Sequence, residues 1–397
     1  MRQIKIILII LIIIVLFILG FLLKNSINKS IYNTNNISTI DNPLSDKSIY
    51  NTNNISTINN LLLDKNNIYN ISPNKINWKK DMLDPKNKIG YPNLKKAYVV
   101  CYLNSALQLI RTFFIYLFLT QKTFTIQSIP KEIINFLNYI HEKNRDIAVH
   151  SILKLIVPNK NTRSNLFYIN NNLHQSDSSE FLIYFLEYLF QYNNNLKNVF
   201  SFDLISTLQS NLNKEISSEK IVQENFFIIN DINTFKNKNI TNLSTILQAI
   251  INVPTEEIVS YKFLHNNNNL IIEDPDTIKS VHYSNFSSFL LIILNIFTFD
   301  LEENSTKKID FYTYIPKKIT FKTIDSVEYN YTPISIICHQ GGQSANSGHY
   351  VNYSKNIENS KWYLYNDIKV YEILENSLNE SIKKNKCNPF VVLLRQI

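Results

Sequence analysis

Residues 339–353 read His339-Gln-Gly-Gly-Gln-Ser-Ala-Asn-Ser-Gly-His-Tyr-Val-Asn-Tyr353. The stretch holds three of the five glycines in a chain of 397 residues, at positions 341, 342 and 348. In a chain so poor in glycine, this concentration predicts a loop that needs positive φ or lets another chain pass close to its backbone. Because Gly348 directly precedes His349, we expect the loop to hold this histidine at the rim of a cleft, where a strand begins.

Two polar acceptors follow the histidine at the end of a short apolar run. Thirteen residues after His349 the chain reads Trp362-Tyr-Leu-Tyr-Asn-Asp367. If the chain turns after Tyr353 and pairs back, Asn366 or Asp367 can approach His349. A histidine base needs such a partner to fix its tautomer and orientation. A plain hairpin with a polar turn is the other interpretation of each piece taken singly.

A thiol far upstream completes the set. Cys101 lies in Val99-Val-Cys-Tyr-Leu-Asn-Ser-Ala-Leu107, and the apolar residues from Tyr102 to Leu119 predict a buried helix that begins at or near this cysteine. A helix N-terminus and a nearby imidazolium both lower the pKa of a thiol. Cys101 alone would more often be a buried structural residue. Together with His349 and the downstream acceptors it indicates the site of a cysteine protease.

Composition limits the other classes of function. The chain has 24 Phe and 23 Tyr and is 45% hydrophobic, which is enough to bury a substantial core. Its net charge of +8 is diffuse, so we expect no nucleic-acid partner. Only three cysteines occur, at 101, 338 and 387, which indicates a reducing compartment and no disulfide framework. The absence of a CxxC pair argues against a structural zinc site, and we expect no metal and no cofactor.

The N-terminal region predicts a membrane anchor followed by a linker. Ile6–Leu23 is an unbroken apolar run of eighteen residues, close to the ~20 that cross a bilayer. We therefore predict a transmembrane helix at 4–23, a buried core helix being the alternative. An eleven-residue segment at 30–40 recurs at 48–58, so residues 24–80 are interpreted as a polar low-complexity linker and residues 81–397 as the catalytic domain.

The catalytic domain reads as α+β, with a helical first half and a β-rich second half. A second helix is predicted at Phe181–Phe190, and the acidic residues between 177 and 180 suit its positive N-terminal end. Predicted strands follow in the second half, at Phe289–Ile296, Ile334–Cys338, His349–Tyr353, Trp362–Tyr365 and Phe390–Leu394.

Three boxes of residues resemble those of the ubiquitin-specific protease family. These are papain-like cysteine peptidases that cleave after the C-terminal glycine of ubiquitin. The cysteine box is matched by Gly90-Tyr-Pro-Asn-Leu94 followed by Cys101-Tyr-Leu-Asn-Ser105, and the middle box by Gln175-Ser-Asp-Ser-Ser-Glu-Phe-Leu182. Residues 339–367 are similar to the histidine box throughout, and the resemblance covers residues 85 to 397.

The resemblance implies a papain-like fold and a role for each matched residue. Cys101 would be the nucleophile, His349 the general base, Asn366 the residue that orients the base, and Asp367 a neighbour that sometimes shares this role. The channel for the ubiquitin tail would be formed by Gln175, Asp177, Gly348 and Tyr350. The implied partners are ubiquitin and ubiquitinated proteins. Because ubiquitin is cytosolic, we expect the predicted anchor to make this a single-pass membrane protein whose catalytic domain faces the cytosol.

The chain departs from the family pattern in two regions. The family's oxyanion donor, an asparagine five residues before the cysteine, is replaced by Lys96, while Asn93 lies three residues further upstream. The cysteine pairs that hold zinc in many family members are also missing between residues 208 and 285. We therefore expect that region to rely on packing alone.

Three interpretations of function remain open at the level of sequence. The first is a thiol isopeptidase that removes ubiquitin from conjugates, and the complete Cys/His/Asn set favours it. The second is a catalytically weak or inactive membrane-tethered ubiquitin-binding module, favoured by the altered stretch before Cys101. The third is a lumenal thiol protease, disfavoured by the few cysteines and by the cytosolic location of ubiquitin.

Overall fold

The computed structural model describes residues 68–71, 100–120, 126–130, 168–169, 172–173, 175–253, 255–265, 270–300 and 304–397. The predicted anchor at 4–23, the segment 90–94 and Lys96 lie outside the described residues. Four residues of the predicted 24–80 linker do form structure. Ile68–Ile71 is a strand that pairs antiparallel with Ile126–Pro130, because its isoleucines and tyrosine suit a strand. The chain therefore contributes to a sheet before residue 81.

The described residues contain both helices and strands. The helices are α1 (Cys101–Thr120), α2 (Ser178–Tyr192), α3 (Asn194–Asn198), α4 (Ile232–Asn237), α5 (Leu243–Ile251) and α6 (Leu378–Lys384), with a 3-10 turn at Glu375–Ser377. The strands are β1 (Ile68–Ile71), β2 (Ile126–Pro130), β3 (Tyr168–Ile169), β4 (Asn172–Leu173), β5 (Phe202–Gln209), β6 (Ser217–Glu224), β7 (Phe226–Ile229), β8 (Thr255–His265), β9 (Leu270–Ser284), β10 (Phe289–Leu294), β11 (Phe297–Asp300), β12 (Ser305–Lys308), β13 (Ile319–Lys322), β14 (Glu328–Gln340), β15 (His349–Lys355), β16 (Trp362–Asn366), β17 (Lys369–Ile373) and β18 (Cys387–Gln396).

An eight-stranded sheet forms the framework of the second half. Its order is β17-β16-β15-β14-β18-β10-β7, with β13 paired beside β14. All six residues of β10 are buried, because this apolar strand lies inside the sheet and is covered by other elements. The five strands predicted from the sequence are confirmed as β10, β14, β15, β16 and β18, with bounds that differ by a few residues.

Helix α1 packs against strands β14 and β15 of this sheet. It begins at Cys101, as predicted, and nearly all of its residues are buried. Among the described helices it is the one long and apolar enough to cross a bilayer, but most of it is buried inside the protein. The apolar run after Cys101 therefore forms a core helix.

An aromatic cluster fixes α1 to the sheet. The ring of Phe113 lies 4.6 Å from that of Phe200 and 5.0 Å from that of Phe289. All three residues are at most 1% exposed. Aromatic contacts of this kind add to the free energy gained by burying apolar area. The cluster therefore fixes α1, the helix that begins with Cys101, against the eight-stranded sheet.

Four strands between residues 202 and 284 form a separate sheet, which we call the finger sheet, with strand order β6-β5-β9-β8, whereas β7 belongs to the eight-stranded sheet. Hydrogen bonds to a buried carboxylate stabilise this sheet in addition to packing, so the expectation that residues 208–285 rely on packing alone was incomplete. The buried Asp274 carboxylate accepts hydrogen bonds from Ser210 Oγ at 2.6 Å and from the backbone N–H groups of Asn211 and Leu212 at 2.7 and 3.0 Å. This aspartate ties the β5–β6 turn to strand β9.

Candidate active site

Cys101 is the first residue of α1, and its side chain is buried with 3% of its surface exposed. Its Sγ accepts a hydrogen bond from the backbone N–H of Tyr350 at 3.4 Å. Tyr350 directly follows His349 on strand β15. The fold therefore brings the thiol beside the histidine segment, although 249 positions of sequence separate Cys101 from Tyr350.

His349 begins β15, and the loop position directly before it accepts only glycine. Gly348 has φ of +85°, and a Cβ on it would come within 2.5 Å of the Gln340 carbonyl oxygen and 2.9 Å of His339 Nε2. Contacts this short are sterically forbidden for any other residue. The conformation predicted for this glycine from its place before the histidine is confirmed.

Asn366 is the hydrogen-bond partner of the histidine. His349 Nε2 lies 2.8 Å from Asn366 Oδ1, across the neighbouring strands β15 and β16. An amide oxygen only accepts, so Nε2 carries the hydrogen and Nδ1 of the neutral ring has a free lone pair. Nδ1 is therefore the nitrogen of this ring that can take up a proton.

Asp367 has a different partner. It lies in the turn after β16 with φ of +48°, and its Oδ1 accepts a hydrogen bond from Asn104 Nδ2 at 2.8 Å. Asn104 is one helical turn after Cys101 and is buried. The two consecutive acceptors are thus divided in this structure: Asn366 bonds the histidine and Asp367 bonds the helix that carries the cysteine.

The surroundings of the thiol favour its protonated form. The pKa of Cys101 is raised to about 11, chiefly by burial and in part by the Asp367 carboxylate. The N–H groups of Tyr350, Tyr102 and Cys101 itself act in the opposite direction. The described thiol and the His349 ring are not hydrogen-bonded to each other. In the structure as it stands the helix N-terminus does not outweigh the cost of burying a thiolate.

The middle box supports the same site from α2. Gln175 Nε2 donates to the Gly348 carbonyl oxygen at 2.8 Å. Asp177 is the N-cap of α2, and its Oδ1 accepts from the Ser179 N–H at 2.6 Å and from the Glu180 N–H at 3.4 Å. The acidic start predicted for this helix is confirmed as a capping interaction. The tail contacts predicted for Gln175 and Asp177 stay predictions.

Two carboxylates give this side of the site an acidic character. Burial raises the pKa of Asp177. Burial, and then the Asp177 charge, raise the pKa of Glu180 to about 7. Both carboxylates also raise the pKa of the Tyr350 hydroxyl, for which burial is again the largest cause. A cationic ligand would lower the pKa of both carboxyl groups by stabilising their charged forms.

Tyr350 itself is completely buried. Its hydroxyl donates to the Ala345 carbonyl oxygen at 2.8 Å, and its ring makes an edge contact with the His339 ring at 4.8 Å. The side chain thus supports the loop from inside, while the backbone N–H faces the thiol. A role of Tyr350 in lining the tail channel stays a prediction.

Sequence reasoning gave Asn104 and His339 no role in this site and gave Glu180 only a place at the start of a helix. Asn104 bonds Asp367, His339 bonds the Ser347 carbonyl at 2.6 Å, and Glu180 neighbours Asp177. His339 could have been noticed as the residue that opens the glycine-rich stretch. The pairing of Asn104 has no local signal, because it joins residues 263 positions apart.

A comparison with protein-family models gives one match over most of the chain. The family described as ubiquitin carboxyl-terminal hydrolase matches residues 90–391. The match includes Cys101, the middle box and the whole of residues 339–367. No curated protein sequence matches the chain significantly.

Several solved structures share the fold at low sequence identity. The SAGA Ubp8/Sgf11/Sus1/Sgf73 DUB module bound to ubiquitin aldehyde is 18% identical, with a TM-score of 0.54 over 80% of this chain and 71% of that chain. The same module with a substituted Ubp8, bound to monoubiquitin, is 16% identical, with a TM-score of 0.56 over 87% of this chain and 74% of that chain. The yeast SAGA DUB module with a mutant Sgf73 is 16% identical, with a TM-score of 0.53 over 87% and 76%. These similarities indicate a common papain-like architecture.

Proposed function

Because this chain belongs to the ubiquitin carboxyl-terminal hydrolase family and is a cysteine-type ubiquitin hydrolase, we propose that Cys101 is its nucleophile, His349 its general base and Asn366 the residue that orients the base. The bond cleaved is the peptide or isopeptide bond after the C-terminal glycine of ubiquitin. The observation that carries the assignment is the hydrogen bond between His349 Nε2 and Asn366 Oδ1 at 2.8 Å. This bond leaves Nδ1 of His349 available. The next residue, Tyr350, donates its backbone N–H to Cys101 Sγ.

The proposed chemistry follows from these positions. Nδ1 of His349 takes the thiol proton, and Sγ attacks the carbonyl carbon of the terminal glycine. The tetrahedral intermediate then expels the amine, which receives the proton from the imidazolium. Water hydrolyses the resulting thioester with the same imidazole as base. The backbone N–H of Cys101 at the start of α1 supports the oxyanion, which matters because Lys96 replaces the family's asparagine.

The base is essential because the buried thiol is a weak acid. With a pKa of about 11, a negligible fraction of Cys101 is thiolate at neutral pH unless the proton passes to a neighbouring group. An imidazolium beside the sulfur would stabilise the thiolate and so offset the burial. We propose that the tail of ubiquitin completes this arrangement by bringing the thiol and the imidazole into hydrogen-bonding contact.

The binding side of the proposal uses the other matched residues. Gln175, Gly348 and Tyr350 shape the loop beside the thiol, and Asp177 gives the site an acidic group. The family resemblance implies a narrow channel beside this loop, and such a channel suits a tail ending in two glycines.

The decisive experiment uses ubiquitin with an electrophile at its C-terminus. We expect the full chain, purified in detergent, to form a covalent adduct on Cys101 that mass spectrometry detects. Cys101→Ser should abolish the adduct and His349→Ala should slow its formation strongly. Asn366→Ala should cost less than either, since Asn366 orients the base and takes no part in bond making. Equal losses for the three variants would contradict the assignment of Asn366, and a larger loss for Asp367→Ala would move the role to that residue.

A second candidate is a catalytically weak or inactive ubiquitin-binding module. The observation in its favour is the thiol, which is buried, has a raised pKa and lacks a hydrogen bond to His349. The same experiment separates the two functions. Saturable binding of ubiquitin without any adduct on Cys101 would favour the module and overturn the enzyme.

We further propose that residues 4–23 anchor the protein in a membrane, with residues 24–80 as a tether and the catalytic domain facing the cytosol. The support is the apolar run of eighteen residues at Ile6–Leu23. The full chain should remain in membranes after carbonate extraction, and a chain that lacks residues 4–23 should not. Residues 24–80 contain Asn-x-Ser/Thr glycosylation sequences such as Asn36-Ile-Ser38. Their glycosylation by microsomes would show a lumenal catalytic domain and contradict the orientation.

A further inference from the structure

The loop between β14 and β15, residues 341–348, is held at both of its ends by side chains from other parts of the protein. We call it the histidine loop, because it leads into His349. At its first end, Lys308 Nζ donates to the His339 carbonyl oxygen at 3.1 Å and to the Gly341 carbonyl oxygen at 3.3 Å. The entry into the loop is thereby fixed to strand β12.

At its second end, two consecutive carbonyl groups are bonded by two different side chains. The Ser347 carbonyl oxygen lies 2.6 Å from His339 Nε2, and the Gly348 carbonyl oxygen lies 2.8 Å from Gln175 Nε2. His339 comes from β14, whereas Gln175 comes from the segment before α2. The peptide groups directly before His349 are therefore held by two separate elements.

The chemistry of this contact fixes the state of the His339 ring. A carbonyl oxygen only accepts, so His339 Nε2 carries the hydrogen. The other nitrogen, Nδ1, is buried and has no hydrogen-bond partner among the described residues. Burial lowers the pKa of His339 to about 4, and the nearby Lys308 charge acts in the same direction. The ring is thus neutral at physiological pH and is always a donor at Nε2.

The ring is also in steric contact with the peptide before the base. It is fully buried between the rings of Phe297 at 5.1 Å and Tyr350 at 4.8 Å. A Cβ on Gly348 would come within 2.9 Å of His339 Nε2. The space between Gly348 and the ring is therefore too small for a side chain, and the hydrogen bond to the Ser347 carbonyl group links the loop to β14.

We propose that His339 is a positioning residue for the reaction, which holds the Ser347 carbonyl group and so aims the His349 ring at Cys101. This inference deepens the proposed function and rests on it. His339 has no contact with the thiol itself, and it acts through the peptide that leads into His349. Its removal should let the His349 ring turn while its bond to Asn366 remains.

The test compares two substitutions that differ in the donor. His339→Leu keeps an apolar side chain in the pocket but leaves the Ser347 carbonyl group without its partner. His339→Gln places an amide N–H near the position of Nε2. With a fluorogenic ubiquitin C-terminal amide, we expect His339→Leu to lower kcat roughly 10- to 100-fold, as for other misplaced catalytic groups, with little change in KM. His339→Gln should recover most of kcat.

Two readouts do not depend on turnover. We expect His339→Leu to increase amide hydrogen exchange in residues 341–350 and to shift the pH profile for alkylation of Cys101 by iodoacetamide, because a displaced loop would also displace the Tyr350 N–H that donates to Sγ. Ser335→Ala is the matched control. Ser335 is buried on the same strand and bonds Ser354 and Asn352, away from the loop. It should lower stability without changing either readout.

The outcomes distinguish the two proposals. If the wild-type chain gives no adduct with the ubiquitin electrophile, the proposed function fails, while exchange and alkylation still test the loop. Unchanged exchange and an unchanged alkylation profile in His339→Leu would overturn the positioning role. It would also be overturned if Ser335→Ala and His339→Leu changed both readouts equally, since the effect would then be general destabilisation.

Discussion

At the scale of the residue, opposing effects act on the Cys101 thiol. Burial and the Asp367 carboxylate raise its pKa, while three backbone N–H groups lower it. The net result is a thiol that needs a base. The Asp367 charge therefore opposes ionisation of the thiol, although its Oδ1 also accepts a hydrogen bond from Asn104 on α1.

Asp367→Asn separates these two effects. The amide oxygen can still accept from Asn104, but the negative charge is gone. We expect the thiol pKa to fall, and alkylation of Cys101 by iodoacetamide at pH 8 to become roughly threefold to tenfold faster, which corresponds to about half to one pKa unit. Asp325→Asn, which removes a carboxylate from an exposed turn, is the control. An unchanged alkylation rate in Asp367→Asn would show that the carboxylate does not act on the thiol.

Gly348 offers a second test on a single residue. Any side chain here meets backbone oxygen within 2.5 Å and requires positive φ. We expect Gly348→Ala to displace His349 and to lower adduct formation roughly 100-fold, as for other misplaced catalytic groups. Gly341→Ala is the matched control, since it has a similar φ requirement at +59° but no atom within 4 Å of its Cβ. Equal effects of the two alanines would mean that backbone conformation alone, and not the close contact, restricts this loop.

At the scale of the element, the finger sheet shows how one aspartate stabilises a turn that has no metal ligands from cysteine. The Leu212 N–H, the Ser210 hydroxyl and further N–H groups hold the pKa of Asp274 below its ordinary value. Three of the donors around this carboxylate come from the β5–β6 turn and are satisfied by it only while the turn is closed against β9, so the carboxylate acts as a cross-link between the two.

Asp274→Asn should open this turn. The amide would direct its own N–H toward donors, so we expect faster amide exchange in residues 210–216. The depressed pKa also sets the sign of the pH effect. The stabilisation is present above the unfolded pKa near 4 and is lost as the pH falls through the lower folded value. In urea unfolding between pH 5 and pH 2, the wild type should lose more stability than Asp274→Asn. Parallel pH profiles would show that Asp274 contributes nothing through its charge.

At the scale of the whole molecule, the site forms where three distant parts of the chain meet. The helix start at Cys101, the segment before α2 and the strands β15 and β16 each supply one side of it. Each part is held by the core on which it packs. Loosening the aromatic contacts of α1 would therefore displace the thiol as well as lower the stability.

The absence of cysteines from residues 202–284 leads to a prediction for the whole protein. We expect chelators such as 1,10-phenanthroline to leave both the melting temperature and adduct formation unchanged, because no thiolate zinc site can form in the finger sheet. Thermal unfolding with and without chelator checks this. A lower melting temperature that zinc restores would show a metal site built from other ligands.

The sequence alone determined the local elements and the order of the chemical groups. A continuous apolar run after Cys101 specifies a core helix, alternating and apolar runs specify the strands, and Gly348 before His349 specifies a strained loop, because each depends on residues close together in the chain. Only the tertiary structure decided which acceptor bonds the histidine, that Asp367 turns to Asn104, that His339 holds the Ser347 carbonyl group, and that the thiol is buried. These contacts join residues that come together only when the sheet forms and α1 packs on it. Nothing in the local sequence shows which of Asn366 and Asp367 bonds the histidine.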